Sequence, residues 1–292
     1  MYFEKRWFQY LVLLFLALIW GSSFILMKIG LMSFSSEQVA ALRIVLAALA
    51  LLPFAKKSFK SLRKKDIKSL LIVGIIGSLI PAFLFTKAET HINSALAGML
   101  NSLTPVFTLI IGIFFYEIKF KWWQATGLLI GLFGAFLLIN TEHSLSLTNI
   151  NYYALLVVIA TVCYAINVNE IKAKLPHLNG IEITSLSFMI AGAIAFIYLL
   201  TTDFTPVFQD SDWLLHFSAI AVLGVIGTAL ALLFMNQLIH FVTPVFASTV
   251  TYIIPIFAIF WGIVAGEHIS TYHIIGMAII LFAITLVNKK DK

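Results

Sequence analysis

The chain reads as an all-α integral membrane protein, with ten transmembrane helices arranged as two inverted five-helix repeats. Composition is the first reason. Of 292 residues, 61% are hydrophobic and 11% charged, against about 45–50% apolar and about 25% charged in a soluble domain. So much apolar surface needs lipid as its solvent. The second reason is a series of ten apolar runs of span length. The third is an internal echo between His91–Glu117 and Phe241–Glu267. Ala97, Pro105, Phe107, Gly112, Ile113 and Glu117 return as Ala247, Pro255, Phe257, Gly262, Ile263 and Glu267, every pair 150 residues apart.

A helix needs about 20 apolar residues to cross a bilayer, because hydrocarbon offers no partner to an open backbone group. The runs fall at 9–31, 37–55, 69–88, 94–116, 121–140, 152–172, 181–201, 214–238, 245–265 and 271–288. The first follows Lys5 and Arg6 as a signal peptide would. It continues through Gly21–Gly30 without a polar break, so it is expected to be retained as a span. The sixth is the least apolar, with Asn167, Asn169 and Glu170 near its end, and only HFVTP separates the eighth from the ninth.

Charge sets the expected orientation. With the N-terminus inside, all of the 19 basic residues except Lys28, Arg43 and Lys87 fall in inner segments, seven of them between Lys56 and Lys68. Glu142, Asp203, Asp210 and Asp212 fall outside. Both termini are therefore expected in the cytoplasm, and the net charge of +6 reads as positive-inside loops rather than a nucleic-acid patch. Trp7, Trp122 and Trp123 mark the inner interface; Tyr152, Tyr153 and Trp213 mark the outer one. The single cysteine, Cys163, excludes an intramolecular disulfide and a thiolate zinc cluster.

The echo sets the domain organisation: a first repeat over 1–140, an outer linker at 141–151 and a second repeat over 152–292. VGIIG at 73–77 matches LGVIG at 223–227 at the same offset. Nearer the start of each copy the offset is 144, which places Trp20 and Lys28 opposite Tyr164 and Lys172. Five spans per copy is an odd number, so the second copy enters from the opposite face. Inverted copies offer two packings of similar energy, one open to each side, with substrate held near the midplane. The bland alternative is a duplication kept for stability.

WGSSFILMK, LRIVLAALALLP, LNSLTPVFTLIIGIFFYE and TGLLIGLFGAFLL, in the first, second, fourth and fifth spans, resemble the EamA-type branch of the drug/metabolite transporter superfamily. The resemblance covers essentially the whole chain. It implies a transporter of small organic metabolites, often an exporter of amino acids, nucleobases or related compounds. It also implies a central cavity lined by spans one, three and four with their counterparts six, eight and nine. Span six departs from the pattern: Tyr164, Asn167 and Asn169 stand where the first copy has Trp20, Ser23 and Ile25.

The candidate cavity residues are Trp20, Ser23, Arg43, Asn101, Ser102, Tyr164, Asn167, Thr249 and Tyr252. Polar side chains at mid-membrane either join helices or line a cavity. For Ser102 and Thr104 the alternative is a bond to their own helix. Trp20 stacks on a planar substrate or packs. Arg43, two turns inside the second span, costs up to ~2.5–3.5 kcal/mol at a helix centre unless it snorkels, finds a partner or meets an anion. Lys28 lies nearer the outer end and is expected to snorkel. Pro105 and Pro255 are helix bends that either hinge or hold a fixed kink. Asn236 and Gln237 form a gate or an interface cap. Glu117 and Glu267 fall on opposite faces, each expected at the amides of a helix start. His91 and His240 are candidates for proton coupling. Gly127 and Gly131 have the spacing for close helix contact, within a protomer or between two.

The expected function is secondary transport, as an exporter, of a small organic metabolite by alternating access. A passive facilitator or channel is the alternative, and a lipid-active membrane enzyme a more distant one. The clustered acids or histidines such an enzyme needs at one face are split here between faces. No GxxxxGK[ST] loop, HExxH or thiolate motif is present, so no cofactor or metal is expected. The partners are a small-molecule substrate, the bilayer and protons as a coupling ion, with the chain a monomer or homodimer in the inner (plasma) membrane.

Overall fold

The computed structural model describes residues 2–118, 121–139 and 151–287. Eight helical stretches are long and apolar enough to cross a membrane among them. These are α1 (Arg6–Gly30), α2 (Ser36–Ser61), α3 (Lys64–Glu89), α4 (Ser94–Phe115), α6 (Tyr152–Lys174), α7 (Gly180–Leu199), α8 (Trp213–Phe241) and α9 (Pro244–Val264). Two further apolar helices, α5 (Trp122–Ile139) and α10 (Thr271–Val287), occupy the fifth and tenth expected positions. The expected linker, apart from Asn151, lies outside the described residues, as do Lys119, Glu142 and the C-terminal lysines.

Helix starts follow from side chains that take up the free amides of a first turn. Ser35 and Gln38 form a capping box at α2, and Asn179 and Glu182 form one at α7. Asn93 accepts from the Leu96 amide at α4, and Thr243 accepts from the Phe246 amide at α9. The α8–α9 junction is short because Val242 alone is extended before the Thr243 cap and Pro244, whose missing N–H costs nothing at a first helical position.

The helices are apolar on the outside as well as the inside. On α1, Val12, Leu13, Leu16 and Ala17 are buried while Leu11, Leu14, Phe15 and Leu18 are exposed. That is the pattern of a helix between a protein interior and lipid. Buried contacts rely on small residues that let backbones approach. On α2 against α7, a Cβ added to Gly192 would lie 2.3 Å from the Ala48 Cβ. A Cβ at Gly134 of α5 would meet Ile280 of α10 at 2.8 Å, and one at Gly131 would meet Val106 of α4 at 3.1 Å, so these two glycines pack inside the protomer.

Packing partners exchange between the halves. α1 lies against α8 and α9, whereas α6 lies against α3 and α4; α2 packs on α7, and α5 on α10. The same exchange holds residue by residue. A Cβ at Gly224 would meet the Arg43 carbonyl at 2.9 Å, and one at Gly74 would meet the Ser187 carbonyl at 2.6 Å. A Cβ at Gly227 would meet Ser23 Oγ at 3.0 Å, and one at Gly77 would meet Asn167 Oδ1 at 2.4 Å. Each glycine pair is separated by the longer offset and each partner pair by the shorter one.

The helix-joining turns are tied down at both ends of the bundle. Ser33, between α1 and α2, bonds His216 and donates to Asp210. His177, between α6 and α7, bonds Asp66 at 3.0 Å, and Ser61 donates to Glu182. The Ser33 hydroxyl, followed by the Asp212 amide, holds the Asp210 carboxyl below its ordinary range.

Candidate functional site

The interior is shaped by departures from regular helix in four segments. Ile72–Leu79 in α3 and Val225–Leu230 in α8 wind as π-helix. A π-turn inserts one residue into the ladder and is frequent at functional sites. Ser78 Oγ donates to the Val73 carbonyl at 3.2 Å, and Thr228 Oγ1 to the Leu223 carbonyl at 3.0 Å. Both bonds span five residues, and the two hydroxyls are 150 positions apart in the chain.

The other two departures lie upstream of prolines. α4 is interrupted at Ser102–Leu103, just before Pro105, and α9 at Thr249, before Pro255. A proline cannot donate to the carbonyl four residues earlier. For Pro105 that carbonyl belongs to Asn101, and Thr104 Oγ1 donates to it at 2.8 Å. For Pro255 it belongs to Thr251, and Ser102 Oγ donates to it across the helix interface at 2.8 Å. Each carbonyl freed by proline is thus taken up by a hydroxyl.

These irregular segments surround a cavity of about 100 Å³. α1 contributes Trp20, Ser23, Phe24 and Met27, and α6 contributes Tyr164, Asn167 and Val168. α3 adds Gly77, Ser78 and Phe85; α8 adds Gly227, Thr228, Leu232 and Met235. Asn101 and Thr104 come from α4, and Ser248, Val250 and Thr251 from α9. α2 adds a seventh wall with Arg43 and Ile44, for which α7 supplies no equivalent. The wall is mainly aromatic and aliphatic, with amides and hydroxyls spaced around it. Small-molecule sites have that make-up.

Six of the nine candidate cavity residues meet here: Trp20, Ser23, Arg43, Asn101, Tyr164 and Asn167. Ser102, Thr249 and Tyr252 lie off the lining. Ser102 is the tie to α9 described above, and Thr249 Oγ1 donates to the Phe246 carbonyl at 2.6 Å. The break at Thr249 turns Ser248 and Thr251 inward instead. Trp20 Nε1 donates to the Gly227 carbonyl at 2.9 Å, which fixes its ring at the α8 irregularity. Phe85 stacks on Tyr164, with ring centroids 5.9 Å apart.

Arg43 does not snorkel. It is 9% exposed, its Nε donates to Thr228 Oγ1 at 2.7 Å, and Nη1 lies 3.7 Å from Met27 Sδ. Among the described residues no carboxylate lies within ion-pair distance of it. The cavity therefore has one buried cation and no acid on its wall.

Asn236 and Gln237 tie helices together. Asn236 Nδ2 donates to Thr184 Oγ1 and Gln237 Oε1 accepts from the Gly180 amide, each at 2.9 Å, so α8 is pinned to the start of α7. Glu267 accepts from the amides of Ser94 and Ala95 at 2.9 and 3.2 Å. It serves the start of α4 in the other half, rather than the helix that follows it. Glu117 is exposed at a positive φ of 56°. His91 is exposed and stacked on Tyr153, and His240 is partly buried.

One buried acid has no sequence signal. Glu89, within the polar stretch KAETH that closes α3, is 1% exposed, and neither carboxyl oxygen has a protein hydrogen-bond partner. A carboxyl at a helix end looks like an ordinary interfacial residue; only the fold, by covering it, makes it exceptional.

Comparison with known proteins agrees with this architecture. A solved crystal structure superposes with a TM-score of 0.69 over 97% of both chains at 14% identity, which establishes the fold. The uncharacterized inner membrane transporter YedA of Escherichia coli (strain K12) is 28% identical over 93% of this chain and 88% of its own. An uncharacterized transporter of Archaeoglobus fulgidus is 24% identical over 98% and 99%. A probable terminal-alkyne amino-acid exporter of Streptantibioticus cattleyicolor is 23% identical over 62% of this chain and 60% of its own. The sequence model of the EamA-like transporter family matches twice, at residues 7–140 and 151–289. The chain therefore belongs to the EamA-like transporter family, within the drug/metabolite transporter superfamily.

Proposed function

We propose that the chain is a secondary exporter of small organic metabolites, working by alternating access between two inverted five-helix repeats. It sits in the inner membrane with both termini in the cytoplasm, and catalyses no reaction. The observation that carries this reading is the cavity at the crossing of the two halves, with Arg43 on its wall and no acid beside it. A buried cation in a membrane interior is tolerated when it has a counter-charge for part of its working life. A substrate carboxylate supplies one, and the aromatic wall accepts an apolar body. Of the substrate classes in view, that chemistry favours amino acids over uncharged nucleobases. The exchanged contacts of the glycine pairs, and a family match to each half, support the repeats. The positions of the lysines and arginines support the orientation.

The test is to compare metabolites in the medium of cells expressing the chain and its Asn101→Ala/Tyr164→Ala double variant at equal membrane level. One or more small carboxylate-bearing compounds are expected in excess only with the intact chain. Counterflow of such a compound in liposomes then separates a transporter, which saturates and exchanges, from an open pore. Equal media for both proteins, with no counterflow of any amino acid, would overturn the reading.

A further inference from the structure

A carboxyl group with no hydrogen-bond partner, sealed from both water and lipid, is costly to keep charged and costly even when neutral. Glu89 is such a group. It lies one helical turn beyond Phe85 of the cavity wall, toward the bundle end where Lys87 pairs with Glu37 at 3.2 Å. Charged groups reach it from several of the elements packed on this part of α3. α1 presents Lys28, α2 presents Arg43, and the connection after α9 presents Glu267. α6 presents Tyr164, which faces Arg43, and α4 has no titratable side chain along its length. His91, in the turn after α3, is turned away onto Tyr153 and bonded to Thr90.

The second half shows what a purely structural arrangement looks like at this place. Lys172 stands where the first half has Lys28, and Ile239 stands where it has Glu89. Lys172 Nζ donates to the carbonyls of Ile239 and His240 at 3.0 and 2.9 Å, a fixed clamp on the end of α8. In the first half the lysine has no such bond among the described residues, and an acid replaces the isoleucine.

We propose that Glu89 is a proton-exchange site of this protein. In the conformation described here the carboxyl is protonated. When the helices part at this end, its O–H bond breaks and the proton passes to water. The carboxylate left behind is balanced by Lys28 and, at longer range, Arg43. The reverse step recharges the site before the helices close. The place of this step in a transport cycle rests on the function proposed above; the exchange itself does not, and it is tested without substrate.

The experiment is a difference-infrared titration of the full chain in lipid bilayers, from about pH 4 to about pH 9. The probe is the proton alone, read through the carbonyl stretch of protonated carboxyl groups. The wild type is expected to show a protonated carboxyl that is lost within this range, and Glu89→Gln to lack it. Glu89→Asp should retain a titrating band, which separates a lost site from a misfolded chain. Lys28→Met should move the midpoint to higher pH, by tenfold or more in proton concentration, because the balancing cation is gone. A wild-type titration reproduced unchanged in Glu89→Gln, or no titrating carboxyl in the wild type, overturns the proposal. Counterflow measurements of substrate leave both outcomes untouched, so failure of the transport reading is recognised separately.

Discussion

The two halves of the molecule share joints and differ in charge. Gly74, Gly77 and Ser78 reappear in space as Gly224, Gly227 and Thr228, and the capping boxes at Ser35 and Asn179 correspond in the same way. Yet the first half places Arg43 and Glu89 where the second has Ser187 and Ile239. The second half has its own buried acid, Glu170, and it is fully engaged. Ser69 Oγ donates to it at 2.6 Å and Tyr116 Oη at 2.5 Å. Shared joints set the architecture, since they are where helices touch. The unshared charges are free to serve something besides architecture, because folding does not require them in both copies.

The sharpest way to break this contrast is to remove Glu170 and Glu89 in turn. Glu170→Ile strands the buried Ser69 hydroxyl, costing about 1–3 kcal/mol, and also releases the half-buried Tyr116 hydroxyl, so the loss of stability is expected to be about 3 kcal/mol in total. Glu89→Ile copies the second half and strands nothing, so it should cost less than about 1 kcal/mol or stabilise. Thermal unfolding of the two variants in the same detergent decides. Equal losses would mean that Glu89 is structural after all.

Arg43→Ser extends the same logic to the cavity, giving the first half the residue of the second. The guanidinium is expected to meet a substrate anion, and a charged hydrogen bond is worth about 1.5–3 kcal/mol. Counterflow of a carboxylate-bearing substrate should fall about 100-fold, with membrane level unchanged because a buried cation has been removed rather than added. Transport within about twofold of wild type would assign Arg43 to the Thr228 contact alone.

The joints themselves are not equally tight. A methyl at Gly77 would strike Asn167 at 2.4 Å from Oδ1 and 2.8 Å from Cβ, whereas one at Gly227 meets Ser23 Oγ at 3.0 Å and the flexible end of Leu223 at 3.2 Å. Gly77→Ala should therefore cost about 1–3 kcal/mol as overpacking does, and Gly227→Ala less than about 1 kcal/mol. Paired variants settle which is relieved by its partner: Asn167→Ser should rescue Gly77→Ala.

Much of this was legible in the residues, for reasons that can be stated. The spans were readable because hydrocarbon enforces length and apolarity together. The echo between the halves was readable because glycine and proline leave marks at fixed offsets. Asn101, Tyr164 and Asn167 were readable because an apolar run makes any polar group conspicuous. The π-turns at Ile72–Leu79 and Val225–Leu230 were not, since shifting one hydrogen bond leaves the apolar pattern intact. A different irregularity, the break in α9, explains Thr249 and Tyr252. Facing on a helix is predicted by counting about 100° per residue, and the break at Thr249 restarts the count, bringing Ser248 and Thr251 to the wall. Glu89 was invisible for another reason: burial at a helix end is decided by neighbours distant in sequence.

The smallest expected effect lies at the turns that hold the two ends. His177 meets Asp66, which is 2% exposed, whereas Ser33 meets His216 and the more open Asp210. Asp210 has a folded-state pKa below its ordinary value, chiefly through the Ser33 hydroxyl. The stabilisation from that bond is present above the ordinary value and is lost as pH falls through the lowered one. Ser33→Ala should raise the Asp210 pKa toward the ordinary value, with the Asp212 amide still holding part of the shift. Thermal stability at neutral pH should hardly change, because exposed polar pairs contribute little. Side-chain carboxyl chemical shifts of Asp210 across an acid titration measure the change directly. An unmoved midpoint would show that the Asp212 amide, and not the α1–α2 turn, sets the acid's behaviour.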